Sequence, residues 1–552
     1  MKGQDIQDET IAVISNLFNK LLNIYKTEFV GAQSIFEFLK AIPGLTGLDG
    51  VLEFIIKITD NLLNPEYKKF IINLHQEFLE YYRETQEIYV AFKKYWPILL
   101  DSIVTLESSK KQNLIFWFNN YLEFIKQQGL LLNYNVFQNN NNLLNGIKNF
   151  LNDLVINNGY FNIKTSATEA FTIGENIAYT PGKVIYQNDL IELIQYSTNK
   201  KAVYKVPLLI IPPCINKYYV LDLSEKNSLV KWLIDQGFIV YMISWVNPKN
   251  NINKQFEDYV IEGCLTAVNV ITQNNANFKI HAVGYCIGGT LLGCLLAYMA
   301  KINDNRIISV TNWMSFLDFS DLGDLKIFIN KANLDFLDRL MDQKGYLDGR
   351  LLSMVFSALR PADLFWPYFI NNYLLDQPLK AFDILYWNAD PTNLPADMYK
   401  FYLRNICLNN GLTKSDFIKI NNIAIDLKKI TTPVFSVAGA KDHIVPWRSV
   451  YAGLKLYGGE SQFVLSSSGH VKGLINPPID NKYSFRVNIF NKTIPDDYQI
   501  WLNNSIEHQG SWWFYWKNWL TNINNEKLTV TTAKKFMLQD YLRDAPGYYI
   551  NL

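Results

Sequence analysis

The segment FKIHAVGYCIGGTLLG at residues 278–293 constrains the fold of this chain more than any other part of the sequence. Strand-forming residues lead into a turn, and an apolar helical stretch follows. Glycines on both sides of Cys286 allow a tight turn, and the cysteine then stands at a helix N-terminus, where the helix dipole favours a thiolate. The pattern predicts a strand–turn–helix unit with Cys286 as a nucleophile. A buried structural cysteine is the alternative interpretation.

Short runs rich in Val, Ile and aromatic residues alternate with helical segments from about residue 204 onward. The runs are typical of buried strands in a parallel sheet; they are KVPLLIIPP, FIVYMISW, FKIHAVG, IISVTNWM, PVFSVAG and QFVLSSS. The alternation predicts an α/β fold. The uncharged stretch Ala282 to Ala300 is long enough to cross a membrane. Its glycines favour strand, turn and helix, so we predict no transmembrane segment.

An acidic residue and a histidine follow Cys286 in the chain order that α/β-hydrolases use for nucleophile, acid and base. Asp442 comes directly after the strand PVFSVAG, and His470 comes after the strand QFVLSSS. The chain has only five histidines, so a histidine at this place by chance is improbable. Singly, Asp442 could be a helix cap and His470 a loop residue. Together the three residues predict a catalytic triad.

Two further pairs of residues are candidates beside the triad. The oxyanion hole is expected to use the backbone N–H of Ile287 and an N–H of the loop after the first parallel strand. Pro212 and Pro213 lack that group, so Cys214, Ile215 or Asn216 must donate. We assign the role to Ile215, with Asn216 in support. His443 follows Asp442 and is expected to give a supporting hydrogen bond.

Composition limits the possible partners and setting. The 52 Lys and Arg residues against 51 Asp and Glu leave a charge of +1, which argues against a nucleic-acid binder. The five cysteines form no CxxC pair, so neither a disulfide framework nor a metal site is predicted. Acidic residues near the N-terminus stand where a signal peptide needs positive charge. We therefore expect a cytoplasmic protein.

The chain is predicted to fold as two domains. Residues 1–200 are expected to form a mainly helical N-terminal domain, because apolar residues recur there at helical spacing. Residues 201–552 are expected to form the catalytic domain. Its aromatic-rich stretch at about 315–425 is too long for an ordinary crossover and predicts an inserted cap. The chain is 14% aromatic, and some aromatic residues of this stretch could cover the predicted triad and exclude water.

The choice of Cys over Ser indicates a reaction type. Transfer from a thioester donor to a cysteine exchanges one thioester for another, and the acyl enzyme stays reactive enough to acylate a hydroxyl. A serine would trap the acyl group as an ester close in energy to the product. The residue therefore favours acyl transfer from a thioester to an alcohol, although hydrolysis stays open.

Collinear segments of the chain resemble the polyhydroxyalkanoate synthases, particularly the single-subunit class I type. They include GENIAYTPGKVIYQNDLIELIQY at 174–196, VPLLIIPPCINKYYVLDL at 206–223, VGYCIGGT at 283–290, LRPADLFW at 359–366, ILYWNADPTNLP at 384–395, KDHIVPW at 441–447, SGHVKGLINPP at 468–478 and IEHQGSWW at 506–513. The resemblance implies an α/β-hydrolase fold with an inserted cap and a helical N-terminal domain. Before about residue 110 it extends only to general helical character.

The resemblance also implies a mechanism and partners. His470 would deprotonate Cys286, which attacks an (R)-3-hydroxyacyl-CoA, with 3-hydroxybutyryl-CoA as the expected substrate, and releases CoA. Asp442, directly or through His470, would then activate the hydroxyl that extends the polyester. No cofactor is expected, since CoA enters as part of the substrate. A homodimer attached to polyester granules is implied as well.

Two other functions stay open at this point. The same triad would serve an acyl-CoA thioesterase or another α/β-hydrolase acyltransferase. A granule-binding or scaffolding protein with a vestigial site is the alternative outside the enzymes. The intact set of Cys286, Asp442 and His470 argues against that last alternative.

Overall fold

The computed structural model describes residues 116, 140–157, 162–249, 253–273, 278–488, 494–534 and 540–552. The chain divides into two compact units, one of residues 1–167 and 354–381 and the other of residues 168–353 and 382–552. The helices predicted before residue 139 lie outside the described residues, apart from the single helical residue Phe116.

The first unit joins the helix α1 (Asn140–Ile156) to part of the predicted cap. The hydroxyl of Tyr373 donates a hydrogen bond to the carboxylate of Asp153 at 2.6 Å, and both groups are buried. Asn149 donates to the carbonyl of Asn372 at 3.1 Å. Residues 354–381 of the predicted cap therefore pack with the N-terminal part of the chain.

The second unit contains the strands. In chain order they are β1 (Gly182–Gln187), β2 (Ile191–Tyr196), β3 (Ala202–Tyr204), β4 (Leu208–Ile211), β5 (Val240–Trp245), β6 (Ile280–Tyr285), β7 (Ile307–Trp313), β8 (Tyr346–Leu347), β9 (Leu394–Pro395), β10 (Lys419–Ile420), β11 (Ile423–Ala424), β12 (Val434–Gly439), β13 (Ser461–Ser466), β14 (Ser484–Asn488), β15 (Ser505–Gln509), β16 (Lys527–Thr529) and β17 (Arg543–Asp544).

Eleven of these strands form one sheet in the order β15-β14-β13-β12-β7-β6-β4-β5-β2-β1-β17. The strands from β13 to β5 run parallel, and antiparallel strands flank them on both sides. The parallel strands are the six that the sequence predicts, so the predicted α/β fold is confirmed. They read as continuous apolar runs because helices cover both faces of such a sheet.

The helices connect these strands and form the cap. After α1, the α-helices are α2 (Leu229–Asp235), α3 (Phe256–Asp258), α4 (Thr266–Thr272), α5 (Ile287–Lys301), α6 (Lys331–Lys344), α7 (Gly349–Leu359), α8 (Pro361–Leu364), α9 (Trp366–Phe369), α10 (Asp383–Asn388), α11 (Ala396–Phe401), α12 (Trp447–Leu454), α13 (Tyr498–Asn503), α14 (Trp513–Ile523) and α15 (Val530–Lys534). Wider π-type turns follow three of them, at Tyr259–Leu265, Ile370–Leu374 and Tyr402–Leu408.

The interval 1–200 contains strands as well as helix. Residues 182–196 form β1 and β2, and β2 pairs with β5 at the flank of the parallel strands. Ile191, Leu193 and Ile194 are fully buried there. Burial of both faces removes the alternation of apolar and polar residues by which a strand is recognised in a sequence. Between residues 168 and 200, the chain thus contributes two strands to the eleven-stranded sheet.

The stretch from Ala282 to Ala300 forms the end of β6, a turn and most of α5, as the sequence predicts. Within the described ranges, we find no helix with the length and apolar character needed to cross a bilayer.

Candidate active site

Cys286 lies in the turn between β6 and α5. Its backbone has φ 53° and ψ −126°, a conformation that non-glycine residues rarely adopt. Two hydrogen bonds hold it there: the N–H of Cys286 donates to the carbonyl of Trp313 at 2.9 Å, and the N–H of Gly289 donates to the carbonyl of Cys286 at 2.9 Å. The predicted strand–turn–helix unit is confirmed, and it leaves the thiol half-buried at the start of the helix.

The glycines of the turn are required by close backbone contacts. A Cβ on Gly284 would overlap Gly289, and a Cβ on Gly288 would overlap the carbonyl oxygen of Ile211 at the end of β4. The second contact brings the start of α5 directly against the loop that follows β4. This is the loop that the sequence assigns to the oxyanion hole.

Asp442 and His470 meet at the carboxyl ends of β12 and β13. Nδ1 of His470 and Oδ2 of Asp442 are 2.7 Å apart, and the Asp442 side chain has no exposed surface. Its other oxygen, Oδ1, accepts the N–H groups of Ile444 and Val445, both at 2.8 Å. The carboxylate is thus oriented by the turn that follows it.

The imidazole of His470 also lies close enough to Cys286 for the cysteine to affect its pKa. Burial by itself would lower the pKa of His470, but the charges of Asp442 and Cys286 and their hydrogen bonds outweigh it and raise that pKa to about 10. The ring of Tyr285 lies against the imidazole, with 5.3 Å between the ring centroids. The structure therefore brings together the three residues predicted as a triad.

The two residues predicted for the oxyanion hole lie on neighbouring elements. Ile287 is the first residue of α5, and Ile215 is half-buried in the loop after β4. The carbonyl of Ile215 accepts the N–H of Thr392 at 2.8 Å, and Asn216 forms an isolated bridge with Pro391. The loop is thereby fixed to the segment before β9.

His443 and Cys214 lie near the three triad candidates. His443 is half-buried in the turn after Asp442. Cys214 is buried, and its burial above all raises the pKa of its thiol. A cysteine whose thiol stays protonated is a poor nucleophile. Cys286, in contrast, is only half-buried.

Two tyrosines near Cys286 were missed by the sequence analysis. Tyr399 on α11 and Tyr402 just beyond it are buried, and the pKa of each phenol is raised mainly by burial and further by nearby cysteines, Cys286 among them. Both lie in the stretch predicted as a cap. In the sequence they belong to a general surplus of aromatic residues, and no spacing singles them out.

Two tryptophans that anchor the loop of His470 were also missed. The indole N–H of Trp512 donates to the carbonyl of Gly473 at 2.8 Å, and that of Trp513 donates to the carbonyl of Leu474 at 3.0 Å. Both indoles are buried. The adjacent pair of tryptophans after a glycine was the available signal, because buried indoles need an acceptor.

Comparison with known proteins agrees with this architecture. The family described as "alpha/beta hydrolase fold" matches residues 207–477, which span the parallel strands and the three triad candidates. The family described as "Poly-beta-hydroxybutyrate polymerase (PhaC) N-terminus" matches residues 72–233. The second unit is therefore an α/β-hydrolase fold. Among solved structures, an esterase from Exiguobacterium antarcticum is 13% identical, with a TM-score of 0.31, over 53% of this chain and 93% of its own.

Curated relatives define the family. The chain is 40% identical to the poly(3-hydroxyalkanoate) polymerase of Methylorubrum extorquens, over 78% of this chain and 70% of that protein. It is 39% identical to the polymerase subunit PhaC of Rhizobium meliloti, over 78% of this chain and 69% of the relative. Poly(3-hydroxyalkanoate) polymerase 2 of Ectopseudomonas oleovorans is 34% identical to the chain, over 85% of this chain and 84% of that protein. The chain belongs to the poly(3-hydroxyalkanoate) polymerase family, whose members are acyltransferases, and the predicted family and enzyme class are confirmed.

Proposed function

We propose that this protein polymerises (R)-3-hydroxyacyl-CoA into a polyester with release of CoA, through an acyl group carried on Cys286. One observation carries the proposal: Nδ1 of His470 lies 2.7 Å from Asp442, and the same imidazole is close enough to Cys286 for the cysteine to raise its pKa. That arrangement provides a nucleophile, a base and a group that orients the base. Membership of the polymerase family supplies the class of substrate.

The first step is acylation of the enzyme. His470 takes the thiol proton, Sγ of Cys286 attacks the thioester carbonyl, and the resulting oxyanion accepts hydrogen bonds from the N–H groups of Ile287 and Ile215. Collapse of this intermediate breaks the bond to the CoA sulfur, which leaves with the proton from His470. One thioester replaces another, so little free energy is lost.

The second step transfers the acyl group to an alcohol. The 3-hydroxyl of a second unit or of the chain end loses its proton and attacks the acyl-Cys286 carbonyl, and the thiolate leaves. The burial of Asp442 supports a route through His470: Oδ2 accepts from His470 and Oδ1 from two N–H groups. Asp442 then stabilises the protonated imidazole, which returns the proton to the thiolate.

The aromatic residues above the nucleophile fit a reaction that must exclude water. Tyr399 and Tyr402 are buried close to Cys286. An apolar cover lowers the concentration of water at the acyl thioester and favours attack by the hydroxyl. Homodimer formation and attachment to polyester granules belong to the same proposal. Sedimentation of the purified protein alone and with granules tests both.

The direct test uses 3-hydroxybutyryl-CoA and follows thiol release together with the product. We expect CoA release to accompany insoluble polyester, whereas release with free 3-hydroxybutyrate would identify a thioesterase. Cys286→Ala is expected to abolish both signals. Cys294→Ala is the matched control, because Cys294 is buried on the same helix α5. Polymer made by Cys286→Ala would contradict the assignment.

A protein that bound granules but released no CoA would support the scaffolding alternative. Expression in a host that supplies 3-hydroxyacyl-CoA of several lengths, followed by analysis of the polymer, tests the expected preference for 3-hydroxybutyryl units.

A further inference from the structure

Lys217 is a buried cation immediately after the loop assigned to the oxyanion hole. The residue is 6% exposed, and its Nζ donates to the carbonyl of Ile550 at 2.9 Å and to that of Tyr549 at 3.5 Å. Burying a charge is costly unless hydrogen bonds compensate it. Here the main-chain carbonyls of residues 549 and 550 and the nearby negative charge of Asp390 provide that compensation. The position of Lys217 therefore depends in part on where this segment lies.

The segment 540–552, which we call the closing segment, is fixed from its other side by a buried anion. The carboxylate of Glu192 on β2 has no exposed surface and pairs with the guanidinium of Arg543. The same carboxylate accepts the N–H groups of Tyr548 and Tyr549, each at 2.9 Å. Hydrogen bonds to an ionised group are stronger than neutral ones. The closing segment is thus held by Glu192 through its amides and by Lys217 through its carbonyls.

The loop before Lys217 is tied down along its length. The carbonyl of Pro212 accepts the indole N–H of Trp245 at 2.9 Å, and the carbonyl of Lys217 accepts that of Trp387 at 2.7 Å. Between them lies Ile215, the candidate donor of the oxyanion hole. Pro212 also borders Gly288 of the nucleophile turn. A shift of Lys217 would therefore change where the N–H of Ile215 points relative to Cys286.

We propose that Lys217 is a positioning residue for acyl transfer, which fixes the oxyanion loop by bonding it to the closing segment. This inference rests on the proposed function. Lys217 contacts neither Cys286 nor the substrate and acts through the backbone of Ile215. Oxyanion donors act only within about 3 Å of the developing charge, and a misplacement of about 1 Å can cost on the order of 100-fold in rate.

Two variants disturb the contact between Lys217 and the closing segment, one from each side. Lys217→Met removes the cation and keeps a side chain of similar length. Gly547→Ala acts from the far end, since Gly547 has φ +89° and a Cβ there would overlap the carboxylate of Glu192. Gly345→Ala is the matched control, because Gly345 has φ +77° and a Cβ there meets no atom within 4 Å. Both glycine variants carry similar backbone strain, but only one displaces the closing segment.

The readout compares two reactions of the same thiol. Release of CoA from 3-hydroxybutyryl-CoA passes through an oxyanion, whereas alkylation of Cys286 by iodoacetamide is a displacement at a saturated carbon and forms none. The alkylation of Cys286 is obtained by subtracting the signal of Cys286→Ala. We expect Lys217→Met and Gly547→Ala to slow CoA release about tenfold or more, while alkylation stays within about twofold. Gly345→Ala is expected to change neither rate.

Other outcomes overturn the inference in distinguishable ways. Equal loss of both reactions would mean that Lys217 supports the fold as a whole, and unchanged CoA release would mean that the loop does not depend on it. If Lys217→Met does not fold, the rates of CoA release and alkylation in Gly547→Ala test the inference by themselves. A wild-type protein that is alkylated but releases no CoA would contradict the proposed function itself.

Discussion

Asp442 holds His470 with one carboxylate oxygen while its other oxygen is held by the backbone. Oδ2 lies 2.7 Å from Nδ1 of His470, and Oδ1 accepts two N–H groups at 2.8 Å, from Ile444 and Val445. The carboxylate therefore cannot turn away from the imidazole without losing bonds on both sides. A fixed acceptor at Nδ1 leaves Nε2 as the nitrogen that acts as the base in the proposed mechanism.

Replacement of Asp442 by Asn tests that relationship. The amide keeps the shape but presents a donor to Nδ1 of His470, which favours the wrong tautomer and lowers the pKa of the imidazole. We expect CoA release to fall by about 10³- to 10⁴-fold, measured with 3-hydroxybutyryl-CoA. Because Asp442 is proposed to act through His470, acylation and elongation should fall together. Normal acylation with lost elongation would instead indicate that Asp442 acts directly on the substrate hydroxyl.

Replacement of Gly288 by Ala tests the contact between the nucleophile turn and β4. The added Cβ overlaps the backbone at Ile211, so the start of α5 must move. We expect a loss of about 1–3 kcal/mol in the free energy of unfolding, measured by denaturant titration, and a large loss of CoA release. Gly293→Ala is the control on the same helix, where the Cβ meets the flexible end of Leu317. Equal effects of the two variants would contradict the prediction.

Replacement of Trp512 by Phe tests the anchoring of the His470 loop. The change removes the indole donor and leaves the buried carbonyl of Gly473 without that bond. We expect a destabilisation of about 1–3 kcal/mol together with slower CoA release. Trp519→Phe is the control, since the Trp519 ring packs against Phe435 at 5.2 Å between centroids. An active Trp512→Phe protein with full stability would show that the loop is held by other contacts.

The raised pKa of His470 predicts how stability depends on pH. The charges of Asp442 and Cys286 raise this pKa from 6.5 to about 10 against the effect of burial. Between these values the folded state holds a proton that the unfolded state has lost, so stability falls as pH rises. We expect the Tm of the wild type to fall relative to His470→Gln from pH 6.5 towards pH 10. Parallel curves would show that folding takes up no net proton at His470 and Cys286 over this range.

The parallel strands and the loops that carry the candidate site residues could be predicted from the sequence, whereas the limits of the two compact units could not. The six parallel strands, the turn at Cys286 and the loops of Asp442 and His470 follow from local patterns, because each pairs an apolar run with a chemically distinctive residue. The strands β1 and β2 carry no such residue. Because both of their faces are buried, they also lack the alternation of apolar and polar residues that identifies a strand. Residues 354–381 join the first unit through contacts with α1, which a local pattern does not report.

Sequence alone determined the fold class and the order in which Cys286, Asp442 and His470 follow their strands, since the backbone geometry at those positions depends on neighbouring residues. Tertiary structure decided which distant groups support them. Lys217 and Ile550 are separated by 333 positions, yet they share a hydrogen bond, as do Trp512 and Gly473. Such contacts form because a buried polar group must find a hydrogen-bond partner among the groups that lie next to it in the folded chain. Which groups become neighbours depends on the tertiary structure, so the spacing of residues in the sequence does not predict these hydrogen bonds.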